Sequence, residues 1–251
     1  MAHNSLCDNV PLDTWKVAQK WEREHWVRNQ SRLAKHGKNY IWRLMSLFGV
    51  VEKYRGNDRN YWWKEAFDHY EFLPATVDSA LEVGCGPYSN LRLIRDVCKP
   101  HQVHLSDPLI KTYVQFKMTY VSELHKVAPS CLDDHPLEEL PFSDDRFGLV
   151  VMINVLDHVF DARLCMNNVI RVVRPGGYLI IGQDLTNLDD CEKQPDGLRT
   201  GHPITLDAEW FAPYLSGFEV LRNKIVPRDA GWAPDWHYGT LVFAGRKLTA
   251  K

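Results

Sequence analysis

Among the six cysteines of this 251-residue chain, at positions 7, 85, 98, 131, 165 and 191, there is no C-x-x-C pair. Scattered spacing of that kind argues against a zinc cluster and against a disulfide framework, so the cysteines are read as reduced thiols. There is no H-E-x-x-H either: the close pair His101 and His104 has no glutamate between its members, and no protein-bound metal is expected. Long apolar runs are missing, since 149–153 and 178–181 are far too short to span a bilayer. Residues 1–12 lack the apolar stretch and small-residue cleavage site of a secretory signal, which makes cytoplasmic the expected location, with no membrane partner. An excess of charge is also missing. Thirty basic and thirty-two acidic side chains leave a formal charge of -2, with no general pull toward nucleic acid.

What the chain does have is 45% hydrophobic residues, enough for a core in one large domain or a domain with an extension. Composition changes near residue 75, which divides the chain into a helical cap or lid extension (1–75) and a second domain (76–251). The first part holds six of the nine tryptophans, with twelve Lys/Arg against nine Asp/Glu and almost no period-2 alternation. A helix is predicted from an N-cap at Asp13, with Trp15, Val17, Trp21 and Trp26 on a broad stripe. A second is predicted over 39–53, then a loop over 56–60 and a helical piece over 61–67.

After residue 75, short apolar segments alternate with helical ones, as in a doubly wound α/β sheet. Strands are predicted at 79–83, 103–105, 148–153, 178–181, 219–221 and 240–244. The first runs into Gly84-Cys85-Gly86, where glycines allow a tight bend and close backbone approach to a ligand. The second ends at Asp107, twenty-one residues after Gly86, a spacing at which a carboxylate can accept both hydroxyls of an adenosine ribose. After 148–153 comes Asn154-Val155-Leu156-Asp157-His158, then a helix whose buried face is Ala162, Cys165, Val169 and Val172. The glycine turn continues Pro87-Tyr88-Ser89, so the third glycine of the dinucleotide fingerprint is missing and Pro87 removes one backbone donor. NAD is disfavoured, and without a following Gly-Lys-Ser/Thr so is a P-loop. A ligand with a ribose and without a phosphate fits what remains.

Over residues 76–246 the chain resembles a class I S-adenosylmethionine-dependent methyltransferase. The resemblance rests on Leu81-Glu82-Val83-Gly84-Cys85-Gly86, on Asp107, on Glu138 to Phe147, on Asn154 to Val159 and on Arg174-Pro175-Gly176-Gly177-Tyr178-Leu179, in the family's order. It implies a seven-stranded Rossmann-like sheet whose last strand is antiparallel and inserted between the fifth and sixth. It also implies the cofactor S-adenosylmethionine, with S-adenosylhomocysteine as product. Two departures are visible: Tyr88 stands where many members carry a third glycine, and the segment between Asp134 and Leu140 is about two residues longer than the common pattern.

By this resemblance Gly84, Cys85 and Gly86 hold the methionine end, with Glu82 beside its ammonium group. Asp107 takes the ribose; Asp134, His135 or Leu137 the adenine; and Asn154 the methionine moiety. An antiparallel last strand would begin at the cofactor edge, which places Trp236-His237-Tyr238 beside the methyl group, and Gln183-Asp184 leaves the fifth strand there too. His237 and His202 are therefore the candidate bases, with Asp184 as orienting partner. Tyr61, Trp62, Trp63, His158 and Tyr238 are the expected substrate and lid residues.

The leading expectation is methyl transfer to an oxygen or nitrogen of a small molecule, a sugar or glycan precursor among the classes that suit an aromatic lid. Segment 154–157 is not the Asn/Asp-Pro-Pro-aromatic motif of exocyclic-amine methyltransferases. Eight basic against two acidic residues from Lys16 to Arg43, interleaved with tryptophans, keep an RNA or protein acceptor as an alternative. A non-catalytic cofactor-binding or interaction protein is a third.

Overall fold

A computed structural model of the chain describes residues 7–36, 59–116, 131–193 and 196–249. Seven strands form one sheet: β1 (Thr76–Val83), β2 (Lys99–Ser106), β3 (Leu132–Asp133), β4 (Phe147–Ile153), β5 (Val173–Leu185), β6 (Phe218–Pro227) and β7 (Gly239–Lys247). Their order is β3-β2-β1-β4-β5-β7-β6. The pairs β1/β2, β1/β4, β2/β3 and β4/β5 are parallel, whereas β7 runs antiparallel to both β5 and β6. This is the expected sheet with its last strand inserted between the fifth and sixth.

Alternation along the central strand shows why the sheet is covered on both sides. Phe147, Val150 and Met152 of β4 face one apolar cluster, while Leu149, Val151 and Ile153 face the other. A strand buried on both faces reads as a continuous apolar run, which is why this one was the easiest to find. On the first face lies α5 (Ala162–Val172), with Cys165, Val169 and Val172 buried as predicted and Asp161 capping it through the Leu164 N–H at 2.9 Å. On the second lies α2 (Asn60–Ala66) with the turn after it. Trp63, Phe67 and Tyr70 are all buried there, and Trp63 fits so closely over Gly182 of β5 that a Cβ would come within 2.6 Å of its ring. The composition boundary at residue 75 therefore does not coincide with a gap in packing.

The helix predicted from Asp13 is α1 (Leu12–His36), and Asp13 lies inside its first turn, where a carboxylate suits the helix dipole. Val17, expected on the inner stripe, is 57% exposed; the inward positions are Trp15, Ala18, Gln19, Trp21, Glu22, His25 and Trp26. Helix 39–53 and most of the loop before α2 lie outside the described residues. Between β2 and α4 (Ile110–Tyr113) sits Asp107, and α3 (Leu91–Ile94) follows the glycine turn. β2 is longer than predicted because its first half, which includes Pro100, pairs on one side only. β6 is a largely exposed edge strand with little apolar pattern to find, and β3 spans only two residues. No helix among the described residues is long and apolar enough to cross a membrane.

Candidate active site

A cavity of about 510 Å³ opens at the carboxyl edge of the parallel strands, where β1 and β4, neighbours in the sheet, send their connections to opposite sides. This is the switch point at which open α/β sheets bind ligands. Its floor is the turn after β1. Gly84 and Gly86 have φ of +58° and +54°, and a Cβ on Gly84 would lie 2.4 Å from Val155 Cγ2, so this residue has both a conformational and a steric reason to be glycine. Around Gly86 a Cβ would meet nothing within 4 Å, leaving open space over an exposed stretch of backbone.

Asp107 is buried beside this floor. Its Oδ2 accepts from the Gly86 N–H at 3.0 Å and its Oδ1 from the Leu109 N–H at 2.8 Å, which fixes the carboxylate with lone pairs left for a further donor. Burial pushes its pKa up to about 6, against the pull of those two N–H groups. His135 and Leu137 line the same end, and Asn154, with φ +55°, accepts from the Asp184 N–H at 3.3 Å through Oδ1.

The roof is α1. Trp15 Nε1 and Gln19 Nε2 both donate to the carbonyl of His158, at 3.0 and 3.2 Å. The Trp21 ring meets His202 edge-on at 5.8 Å, and Trp26 does the same to Tyr88 at 5.7 Å. Arg59, just before α2, interacts electrostatically with Asp184, Asp157 and Glu22, and its guanidinium lies 5.3 Å from the Trp232 ring centroid.

The far end of the cavity gathers ionisable groups from separate segments. His237 Nδ1 lies 3.1 Å from Thr186 Oγ1, and its Nε2 lies 4.0 Å from Asp184 Oδ2. Asp184 is buried, accepts from Thr240 Oγ1 at 2.9 Å, and is pushed up by desolvation more than His237 lowers it. Asp157 Oδ2 lies 3.6 Å from His158 Nε2 and 3.7 Å from His202 Nε2. For Asp157 burial is the largest influence and acts upward, yet the surrounding histidines and Gln183 outweigh it and hold the carboxyl below its ordinary value.

The cavity thus brings together Gly84, Cys85, Gly86, Asp107, His135, Leu137, Asn154, His158, Asp184, His202, His237 and Trp63 of the predicted residues. Five others are placed elsewhere. Glu82 lies beneath the glycine turn, accepting from Ser89 Oγ, from the N–H groups of Asn90 and Leu91 at 2.7 and 3.2 Å, and from the Asn90 side chain at 3.1 Å. It braces the loop and the start of α3. Asp134 points outward to pair with Lys111. Tyr61 packs under Arg92 and Trp62 edge-on to Trp63, because adjacent helical residues point about 100° apart and cannot all face one cavity. Tyr238 turns its hydroxyl to accept from the Ala208 N–H at 3.0 Å, and its neighbour Trp236 takes the lining position. Sequence reading missed Glu22, Arg59 and any role for Asp157, which stood unremarked inside a quoted motif. The signal available for Glu22 was its position one turn from Gln19 and Trp26 and two turns from Trp15 on a helix.

Residues 81–181 match the family described as a methyltransferase domain. A probable S-adenosylmethionine-dependent methyltransferase of Mycolicibacterium smegmatis is 26% identical over 180 residues, 70% of this chain and 66% of that protein. A protein of Streptomyces fradiae described as an uncharacterized 37.1 kDa protein in transposon Tn4556 is 25% identical over 163 residues, 62% of this chain and 44% of its own length. The matched region thus spans less than two thirds of either relative. Among solved structures, the N-methyltransferase NodS of Bradyrhizobium japonicum in complex with S-adenosylhomocysteine superposes with a TM-score of 0.52 at 17% identity. That match covers 88% of this chain and 99% of NodS, a likeness of fold.

Proposed function

We propose that the chain is a class I S-adenosylmethionine-dependent methyltransferase, as the match of residues 81–181 to a methyltransferase domain supports, and that it transfers a methyl group to an oxygen or nitrogen of a small molecule, with a sugar or glycan precursor as the leading acceptor class. The observation that carries the small-molecule reading is the roof. With Trp15, Trp21 and Trp26 roofing part of the cavity, an acceptor would fit beside the cofactor in an aromatic-walled cleft. Five carboxylates and a single Lys or Arg line that space among the described residues, a balance that favours a cationic cofactor and disfavours a polyanionic acceptor.

The residues present fit the cofactor. Gly84 and Gly86 offer the backbone, with room above Gly86; the ionised Asp107 would accept from the ribose; Leu137 and His135 would flank the base. When bound, S-adenosylmethionine supplies an electrophilic methyl group on a sulfonium. The chain's own part is alignment and proton removal. With Nδ1–H donating to Thr186 Oγ1, which holds the ring, His237 presents Nε2 to the acceptor, and the Asp184 carboxylate, 4.0 Å from that nitrogen, stabilises the imidazolium once the proton has moved.

Calorimetric titration with S-adenosylmethionine and S-adenosylhomocysteine, followed by an assay of S-adenosylhomocysteine release over a panel of sugars, amines, RNA and protein, tests this reading. Micromolar binding lost in Asp107→Ala, with turnover on a sugar or amine, is expected. Turnover only on RNA or protein would overturn the acceptor class, and cofactor binding without any turnover would overturn the enzyme.

A further inference from the structure

We propose that Asp157, His158 and His202 form a binding site for one divalent transition-metal cation at the acceptor end of the cavity. They are the one group of three His, Cys, Asp or Glu residues among the described residues whose ligand atoms all lie within 4.8 Å of one another. No spacing in the sequence announces it, because the ligands come from two loops, one after β4 and one after the helix Asp196–Gly201.

The distances suit a cation better than a hydrogen-bonded pair. Separations of 3.6 and 3.7 Å between Asp157 Oδ2 and the two Nε2 atoms exceed hydrogen-bond length. A tetrahedral ion with bonds of about 2.1 Å would set its ligands about 3.4 Å apart, a few tenths of an ångström from what is observed.

The groups behind the ligands are arranged for the same task. His158 Nδ1 lies 3.0 Å from the Gly201 carbonyl, which can only accept, so Nδ1 carries a proton and Nε2 is the nitrogen that faces Asp157 and is left to take a cation. Asp157 Oδ1 is occupied by the Gln183 amide at 3.1 Å, and Gln183 is itself oriented by the Leu156 N–H donating to its Oε1 at 3.1 Å. A histidine held by a backbone carbonyl and a carboxylate held by an amide are the outer partners that metal ligands characteristically have. Charge agrees: near Asp157, Glu22 and Asp184 add two further carboxylates against the single guanidinium of Arg59.

Two imidazoles and one carboxylate select Zn²⁺, Co²⁺ or Ni²⁺ over Mg²⁺ or Ca²⁺, and three protein ligands leave positions open toward the cavity. Neighbouring oxygens of an acceptor would fill them, so the site selects acceptors that chelate, such as vicinal diols. That role rests on the methyltransferase reading; cation binding itself does not.

The full-length protein, stripped with chelator, is titrated with CoCl₂ while the visible spectrum is followed, then with ZnCl₂, and its binding of S-adenosylhomocysteine is measured in parallel. One Co²⁺ per chain with d–d absorption, displaced by Zn²⁺, is expected. His202→Ala and Asp157→Asn should weaken binding by at least about 100-fold and Gln183→Ala by about 10–100-fold, while His101→Gln leaves it unchanged. Retained S-adenosylhomocysteine binding in each variant shows that the fold and cofactor site are intact, so a lost cation site and a failed methyltransferase reading are told apart. No saturable Co²⁺ binding by wild type, or stoichiometric binding that His202→Ala leaves unchanged, would overturn the site.

Discussion

The two ends of the cavity are made in different ways. At the cofactor end the shape is backbone: two left-handed glycines, a carboxylate held by two N–H groups, and a glutamate that braces the loop from below. At the acceptor end it is side chains, with histidines and carboxylates from the turn after β4, the end of β5, the loop holding His202, the loop before β7 and the inner face of α1. A backbone site tolerates change at few positions and serves one ligand. A side-chain site can be rewritten residue by residue, which fits a fold that keeps its cofactor while its acceptor varies.

If this division holds, changes at one end leave the other intact. The largest effect is expected from His237→Ala, which should lower kcat by about 10²–10⁴-fold with S-adenosylmethionine affinity unchanged, as steady-state kinetics and calorimetry would show. A fall in cofactor affinity instead would mean that the two ends are not separable. Gly84→Ala should do the reverse. A methyl group driven against Val155 at positive φ should cost about 2–5 kcal/mol of stability in thermal melts and about 100-fold in cofactor affinity.

The smallest effect, and the one that sharpens the comparison, is pH. In the proposed cofactor site it is the ionised Asp107 that would accept from the ribose, and its pKa is raised to about 6 by burial, with Glu22 raising and His158 lowering it from across the cavity. Cofactor affinity should therefore fall roughly tenfold from pH 7 to pH 5, and Asp107→Asn should flatten that profile at a lower affinity. In the free protein the sign is opposite. The native state holds the Asp107 proton more tightly than the unfolded chain, so this contribution to stability is full below about pH 4 and disappears as pH rises through 6. Denaturant melts of wild type and Asp107→Asn across that range measure it.

The same division explains what could be read in advance. Gly84, Gly86 and Asp107 were legible because a turn conformation and a strand length are local properties with a fixed spacing. The central strands were legible because burial on both faces leaves an unbroken apolar run. The bracing role of Glu82 was not legible, since only the folded chain returns the Ser89-Asn90-Leu91 segment to its carboxylate. Asp157, His158 and His202 had no common signal, because only the folded chain brings position 202 to position 157. β3 escaped for an energetic reason: two paired residues at a sheet edge need no apolar pattern to form.

Trp63 seated over Gly182 bears on how such a protein can diversify by recombination. Residues 60–70 carry the Trp63, Phe67 and Tyr70 that complete one face of the sheet, so exchanging that segment with a relative's would leave a hole in the core unless the sheet residues beneath it changed together. Helix α1 rests on loops rather than on the sheet: Trp15 and Gln19 donate to the carbonyl of His158, and Trp21 sits over Gly201 so closely that a Cβ there would come within 2.3 Å of its ring. Exchanging it would ask the loop of Gly201 and His202 to change with it and would leave the sheet beneath untouched.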